Sequence, residues 1–538
     1  MGKNLALLAA ILVVVLGPII LRPRGDSAAL HGDDAIIVIT PHNEAIRSEF
    51  GEAFREWYRT KTGRTVLVDW RTPGGTSEIT RYLDSSYNTA FENHWKRDLR
   101  RPWTNDVQQG FMDSKTAPAA SPADDIPRQA ARRAFLVSKV SSGIDVFFGG
   151  GSYDFQKEAA AGLLVDCGYV AAHKDLFGIG KPIPPIVGGE RYYDEGGLWL
   201  GTTVGAFGIV TNCDQLARLG LPQPHTWGDL ADPRYFRSLA LANPTQSSSS
   251  GKAFEMLVQQ QMNLTDAERG TKDATTTAEG WLRAMRLIQR ISGNARYFSD
   301  SSAKIALDID AGEAAAGMTI DFYGRFQSET VRRTDGSSRV SYVDAAGGTS
   351  YGVDPIALLR GAPHPELSRA FIEFVMTDGQ KIWGYRAGAP GGPRHHSLRR
   401  LPILPELYSD AHRALRTDPD VLPYEAARTF AYDGKRTGPL FTTISFVVRV
   451  MCIDPHRELT AAWSALCESK NRTGKFPSEA LSAFGEVAHV DYGTALGRIR
   501  STLSEGASKI DQVRLAKELA DRFRANYQRA EQLARADR

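Results

Sequence analysis

Ser350 lies in Gly348-Thr349-Ser350-Tyr351-Gly352, the G-x-S-x-G spacing that can present a serine hydroxyl as a nucleophile. Such a serine needs a helix directly after it, so that the chain turns sharply and leaves Oγ exposed. Here Val353-Asp354-Pro355 follows and then a β-like apolar run. Proline biases the residue before it away from helix. An exported hydrolase working through Ser350 is thus an alternative reading, not the leading one. Gln246–Ala253 (QSSSSGKA) ends like a phosphate-binding loop. Gln246 stands where the first glycine belongs, and Ala253 where the magnesium-binding hydroxyl belongs. That excludes a nucleoside triphosphatase and leaves a serine-rich helix start suited to a polar or anionic ligand. Gly149-Gly150-Gly151 can cradle a ligand through backbone amides, or simply make a tight strand-to-helix turn. His395-His396 has no H-E-x-x-H partner and reads as a surface pair. No paired carboxylates stand out, so no catalytic set and no cofactor is expected, and a metal is left open.

Loops act together only if elements hold them together. Ile36–Ile39 is an apolar, β-branched run suited to a strand buried on both faces. Pro41, His42 and Asn43 break it with turn and helix-start chemistry. Ile46, Phe50, Ala53, Phe54 and Trp57 then recur at helical spacing. The same strand, polar loop and helix recur at Thr65–Trp70 with Gly74-Gly75-Thr76-Ser77, and at Ile144–Phe148 with the three glycines. They recur again at Leu239–Ala242 with Ser247–Ser250, and at Ala314–Ile320 with Asp321-Phe322-Tyr323. Such units predict an open, mostly parallel α/β sheet, with ligands outside the carboxyl ends of the strands. Ser85–Val140 reads as a surface insertion with a loop in its middle, its basic cluster (Lys96, Arg97, Arg100, Arg101) being a solvated face. The last helix, Ile510–Leu533, is amphipathic and predicted to dock on the body.

The chain has 538 residues, 42% hydrophobic and 24% charged, enough for two or three domains. A formal net charge of +3 over that length argues against nucleic acid as a partner. Lys3 precedes the apolar run Leu5–Leu21, which lacks a good cleavage site directly after it. An uncleaved membrane anchor with the rest of the chain exported is expected, a cleaved signal peptide being the alternative. The cysteines are Cys167, Cys213, Cys452 and Cys467, without zinc-ligand spacing. Cys452 and Cys467 could bridge in an oxidising compartment, or remain buried thiols.

Five segments in order resemble the extracellular solute-binding proteins of ATP-driven (ABC) importers, in the ferric-iron-binding-like branch of the type II periplasmic-binding-protein fold. They are VITPHNEAIRSEFGEAF, IDVFFGGGSYDFQKEAAAGLL, GAFGIVTN, HTWGDLADPRYFRSLALANPTQSSSSGKAF and VDPIALLRGAPHPELSRAFIEFVMTDGQKIW. The resemblance implies an α/β chain of two lobes, joined by strands crossing near Ala206–Thr211 and Tyr351–Ala357, and no catalysis. It implies ABC-transporter membrane subunits as partners and a periplasmic or other extracytoplasmic location. The ligand, a metal ion or a polar or anionic organic solute, would meet Pro41, His42, Asn43, Gly75, Thr76, Gly150, Gly151, Ser248, Ser249, Ser250, Asp321 and Tyr323. Ferric-iron binders carry two adjacent tyrosines where this chain has Asp321-Phe322-Tyr323, which puts iron in doubt. The implied division is an anchor and linker (1–34), lobe one (35–205, with insertion 85–140), lobe two (206–345), a return to lobe one (346–400) and a mostly helical extension (401–538). A sensor or scaffold on the same fold is the other alternative.

Overall fold

The structure, a computed structural model, describes residues 32–536 except 118, 120, 123, 124, 505 and 506. The expected anchor at Leu5–Leu21 lies outside the described residues. Among the described residues no single helix is long and apolar enough to cross a membrane.

β1 (Asp34–Ile39) buries Ile36, Val38 and Ile39 completely. Asn43 accepts from the backbone N–H of Ile46 at 3.1 Å and starts α1 (Glu44–Thr62), which buries Ile46, Phe50 and Phe54. β2 (Val66–Arg71) follows, then α2 (Thr76–Asn93), α3 (Asn105–Gly110), α4 (Pro127–Val137), β3 (Val146–Phe148) and α5 (Ser152–Ala161). After β4 (Leu164–Val165) come the hairpin β5 (Ile186–Val187) and β6 (Glu190–Arg191), and then β7 (Leu200–Gly205). β1 pairs in parallel with β2 and β3. Their carboxyl ends therefore share one edge, because helices return the chain between them. Ser85–Val140 is more than a loop on the surface. Phe91, Phe111 and Phe135 pack ring against ring at 4.7–5.4 Å and are fully buried. The basic cluster is exposed, as expected.

Lobe two holds β8 (Phe207–Asn212), β9 (Leu239–Ala242), α6 (Ser248–Arg269), α7 (Ala274–Gly293), β10 (Ala295–Ser299), α8 (Ser302–Asp310), β11 (Ala316–Ile320), α9 (Asp321–Thr330) and β12 (Val340–Asp344). Its five-stranded sheet runs β10-β9-β11-β8-β12. β9 is parallel to β10 and β11, whereas β8 is antiparallel to β11 and β12. The chain then returns as β13 (Gly352–Leu359), α10 (Pro365–Met376), α11 (Gly379–Gly384) and β14 (Leu401–Pro402). This completes a seven-stranded lobe-one sheet, β14-β7-β13-β3-β1-β2 with β4 on β13. Both sheets are mixed, not mostly parallel, because β13 runs against β3 where the chain re-enters lobe one and β8 runs against β11 where it enters lobe two.

The first crossing is Ala206, one residue between β7 and β8. The second is 345–351, ahead of the expected Tyr351–Ala357, most of which already belongs to β13. Two lobes joined by two crossing segments is the arrangement that the resemblance implies. A further crossing follows. Ala427 is part of the lobe-one core and Phe430 of the lobe-two core. From there α12 (Phe441–Val448), α13 (His456–Thr473), α14 (Ser478–Phe484) and α15 (Lys509–Ala536) pack onto α6 and α7. Their buried Trp463, Phe484, Phe523 and Tyr527 share one continuous core with lobe two. Cys452 and Cys467 are both free and buried there, so of the two readings the buried thiols hold, and they serve as apolar packing.

Candidate functional site

The carboxyl ends of β1, β2 and β3 face those of β9, β10 and β11 across one cleft. Each lobe supplies three loops to it: Pro41-His42, Gly75-Thr76 and Gly150-Gly151-Ser152 from lobe one, and Ser247–Ser249, Asp300–Ser302 and Phe322-Tyr323 from lobe two. They enclose a cavity of about 170 Å³, floored by the crossings at Gly205, Phe207 and Gly352–Asp354. Helices α2, α5, α6, α8 and α9 all begin at these loops, so unpaired N–H groups and the positive ends of helix dipoles converge on it.

Close approach of the loops requires glycine at two places. Gly149 has φ 89°, and a Cβ there would lie 2.4 Å from His42 Nε2. Gly150 has φ 125°, and its Cβ would meet Thr76 Cγ2 at 2.7 Å. Hydroxyls supply much of the remaining lining. Ser249 Oγ lies 2.7 Å from Ser302 Oγ and 3.2 Å from Ser247 Oγ. Ser77 and Ser248 touch across the cleft at 2.9 Å between hydroxyl oxygens. The lobes are therefore in contact.

The charged groups are mostly compensated. His42 is buried, and burial, helped by Arg400 and Arg47, holds it well below its ordinary pKa, so the ring is neutral. Its Nε2 lies 3.2 Å from Arg400 Nη1, which places the proton on Nδ1. Arg400 is itself buried, pairs with Asp354 and lies over the Phe322 ring at 4.0 Å. Lys252 Nζ sits 3.0 Å from both Glu190 and Glu255 and 3.7 Å from the Tyr432 ring centre. Burial alone would lower its pKa, but the two carboxylates outweigh burial and raise it. Asp154 is different. Burial pushes it up to about 6 against the pull of Lys157 and Ser248, and its Oδ2 has no hydrogen-bond partner.

Of the residues expected to meet a ligand, Pro41, His42, Gly75, Thr76, Gly150, Gly151, Ser248, Ser249 and Tyr323 line this cavity. Asn43, Ser250 and Asp321 do not, because their oxygens serve the backbone. Asn43 caps α1. Ser250 Oγ donates to the Ala242 carbonyl at 2.8 Å. Asp321 Oδ1 accepts from Phe322 N–H at 2.8 Å, under the cavity floor. Burial pushes Asp321 up to about 7 and Tyr323 up to about 12. Among the described residues, no group of three or more His, Cys, Asp or Glu side chains could hold a metal ion.

Sequence reasoning missed Asp154, Glu190, Lys252, Ser302 and Phe441. Ser302 was legible: Asp300-Ser301-Ser302 after β10 repeats the strand, polar loop and helix unit. Lys252 lies one turn beyond Ser248 on α6. Glu190 and Phe441 have no local signal, being brought in by a hairpin and by the last crossing. Ser350 is buried, and its Oγ donates to Glu190 at 2.6 Å. The chain after it runs into β13, so no nucleophile elbow forms.

Residues 136–386 match the model of the bacterial extracellular solute-binding protein family. The phosphoglycerate transport regulatory protein PgtC of Salmonella typhimurium is 27% identical over 185 residues, 34% of this chain. That match spans 40% of the length of the curated relative. An uncharacterized protein of Haemophilus influenzae is 24% identical over 244 residues, 44% of this chain and 60% of that protein. Among solved structures, the periplasmic binding protein AfuA of Actinobacillus pleuropneumoniae aligns at TM-score 0.46 and 14% identity, covering 73% of this chain and 94% of that one. Iron-bound HitA of Pseudomonas aeruginosa aligns at TM-score 0.42 and 12% identity, covering 77% and 99%. Residues 136–386 of the chain are thus similar to the bacterial extracellular solute-binding proteins.

Proposed function

We propose that this solute-binding protein captures a small hydroxylated organic anion in the interlobe cavity and presents the closed form to an ABC-type importer. The observation that carries the reading is the convergence of helix starts and serine hydroxyls from both lobes on one cavity. Closing the lobes around the ligand completes that ring of donors, so ligand and closure stabilise each other. About 170 Å³ admits a solute little larger than benzene. The amides and hydroxyls suit a carboxylate or phosphate, and Asp300 can accept a hydrogen bond from the ligand's hydroxyl. The phosphoglycerate in the name of the Salmonella relative is of that class. The protein works outside the cytoplasm, held at the membrane by Leu5–Leu21. The word "regulatory" in that name favours a second reading, in which the closed form is read by a sensor instead of a permease.

Native mass spectrometry of unrefolded protein tests this, because a tight ligand co-purifies. The expected result is a retained mass of one small organic acid that raises the melting temperature when added back. In Gly151→Val, at a backbone position of φ −84° that valine adopts freely, the side chain fills the cradle, and that mass should be lost with the fold intact. Retention of the ligand by Gly151→Val would remove the reading.

A further inference from the structure

A second and larger cavity adjoins the first. It has a volume of about 1040 Å³ and lies between residues 108–115, the β5–β6 hairpin and the last crossing at Tyr432–Phe441. The Tyr153 and Phe441 rings, 4.5 Å apart, stand between the two compartments, and Lys252 lines both. Both residues 108–115 and the last crossing lie outside the residues that match the solute-binding family.

The wall carries six cations against five carboxylates, an excess of one positive charge. Each carboxylate has a cation beside it. Asp113 meets Arg128 at 3.9 Å, Asp433 meets Lys272 at 2.9 Å, and Glu190 shares Lys252 with Glu255. Asp84 and Lys157 also pair, at 3.6 Å. Lys115, Arg191 and Lys435 remain on the wall without an ion-pair partner among the described residues. They come from three separate segments and face one volume. Concave walls focus the field of like charges held around them, which raises the local concentration of anions.

We propose that this vestibule is a second ligand compartment, which holds a small multiply charged anion between Lys115, Arg191 and Lys435. The inner cavity, with its neutral donors and compensated charges, selects by hydrogen bonding. The vestibule selects by charge. The two sites use different residues, apart from those at their shared wall.

Calorimetric titration of the full chain with tripolyphosphate, and separately with citrate, at low ionic strength tests the proposal. Saturable binding that weakens with added salt is expected. Replacing Lys115, Arg191 and Lys435 together by alanine should weaken it roughly tenfold, since each exposed charge contact is worth about a two- to fivefold change. All three residues are exposed, so the variant should keep the parent's melting temperature. A charge-reversed set (Lys115→Glu, Arg191→Glu, Lys435→Glu) should abolish binding. Gly151→Val, which fills the inner cavity alone, should leave it unchanged. Absence of binding by both probes, or equal binding by the triple alanine variant, would overturn the proposal. Binding lost in Gly151→Val but kept in the triple variant would place the anion in the inner cavity. That outcome also overturns the vestibule, while leaving the proposed function standing.

Discussion

Asp154 is the one carboxylate of the inner cavity that burial keeps within reach of a physiological proton. At about its raised pKa of 6 it changes from a hydrogen-bond donor to an anion that repels an anionic ligand. Affinity for the organic anion should therefore rise about tenfold between about pH 7 and pH 5, following the protonated fraction. Asp154→Asn, which cannot ionise, should flatten that profile when affinity is titrated across the range. Asp321 makes a matching prediction about stability. Its folded pKa, pushed up to about 7, lies above the ordinary carboxylate value of 3.8. The folded state thus binds this proton more tightly, and the stability it contributes, complete below about pH 4, is lost as pH rises through about 7. Asp321→Asn preserves an oxygen for the Phe322 N–H and removes the buried charge. Its melting temperature should exceed the parent's above about pH 8, by the equivalent of at most about 4 kcal/mol, and the gain should vanish below about pH 4. A variant that stayed less stable at every pH would show that Arg325 needs the charge.

At the scale of elements, the strand, polar loop and helix units were readable because parallel buried strands are continuous apolar runs. β1, β3, β9 and β11 all begin from such runs, and the cavity forms where they end. What a polar residue at a helix start does with its oxygen was not readable. Asn43 and Ser250 look like ligand contacts beside Pro41 and Ser249, yet each is held by backbone: Asn43 gives a lone pair to the Ile46 N–H, and Ser250 gives its hydroxyl proton to the Ala242 carbonyl. The tail beyond Pro390 was illegible for a different reason. Its short helices have little periodicity of their own, and their partners lie far away in sequence, as with Glu49 of α1, which accepts from the backbone N–H groups of Arg394, His395 and His396. The four C-terminal helices complete the core of lobe two, so a chain ending at Ala427 should fail to fold that lobe. Near-ultraviolet circular dichroism should show loss of the signal from Trp227 and Trp281, both buried in that core. Retention of a cooperative transition by the shortened chain would show that the helices are an appendage.

At the scale of the molecule, three covalent crossings and several side-chain contacts join the lobes. Ser77 meets Ser248, Lys252 meets Glu190, and Arg399 donates to the Arg325 carbonyl at 3.1 Å. Two crossings define a hinge. The third, through 427–430, spans the cleft beside Tyr432 and Phe441 and limits how far the mouth can gape. An opening of small amplitude favours passage through the vestibule over a wide swing of the lobes.

The interleaving of the chain also bears on its biogenesis. Lobe one draws on residues from Asp34 to Ala427, and lobe two on residues from Phe207 to Ala534. Neither half can finish its interior until most of the polypeptide has left the ribosome. A nascent thread that collapses so late stays pliable for longer, which is the state a narrow secretion channel accepts.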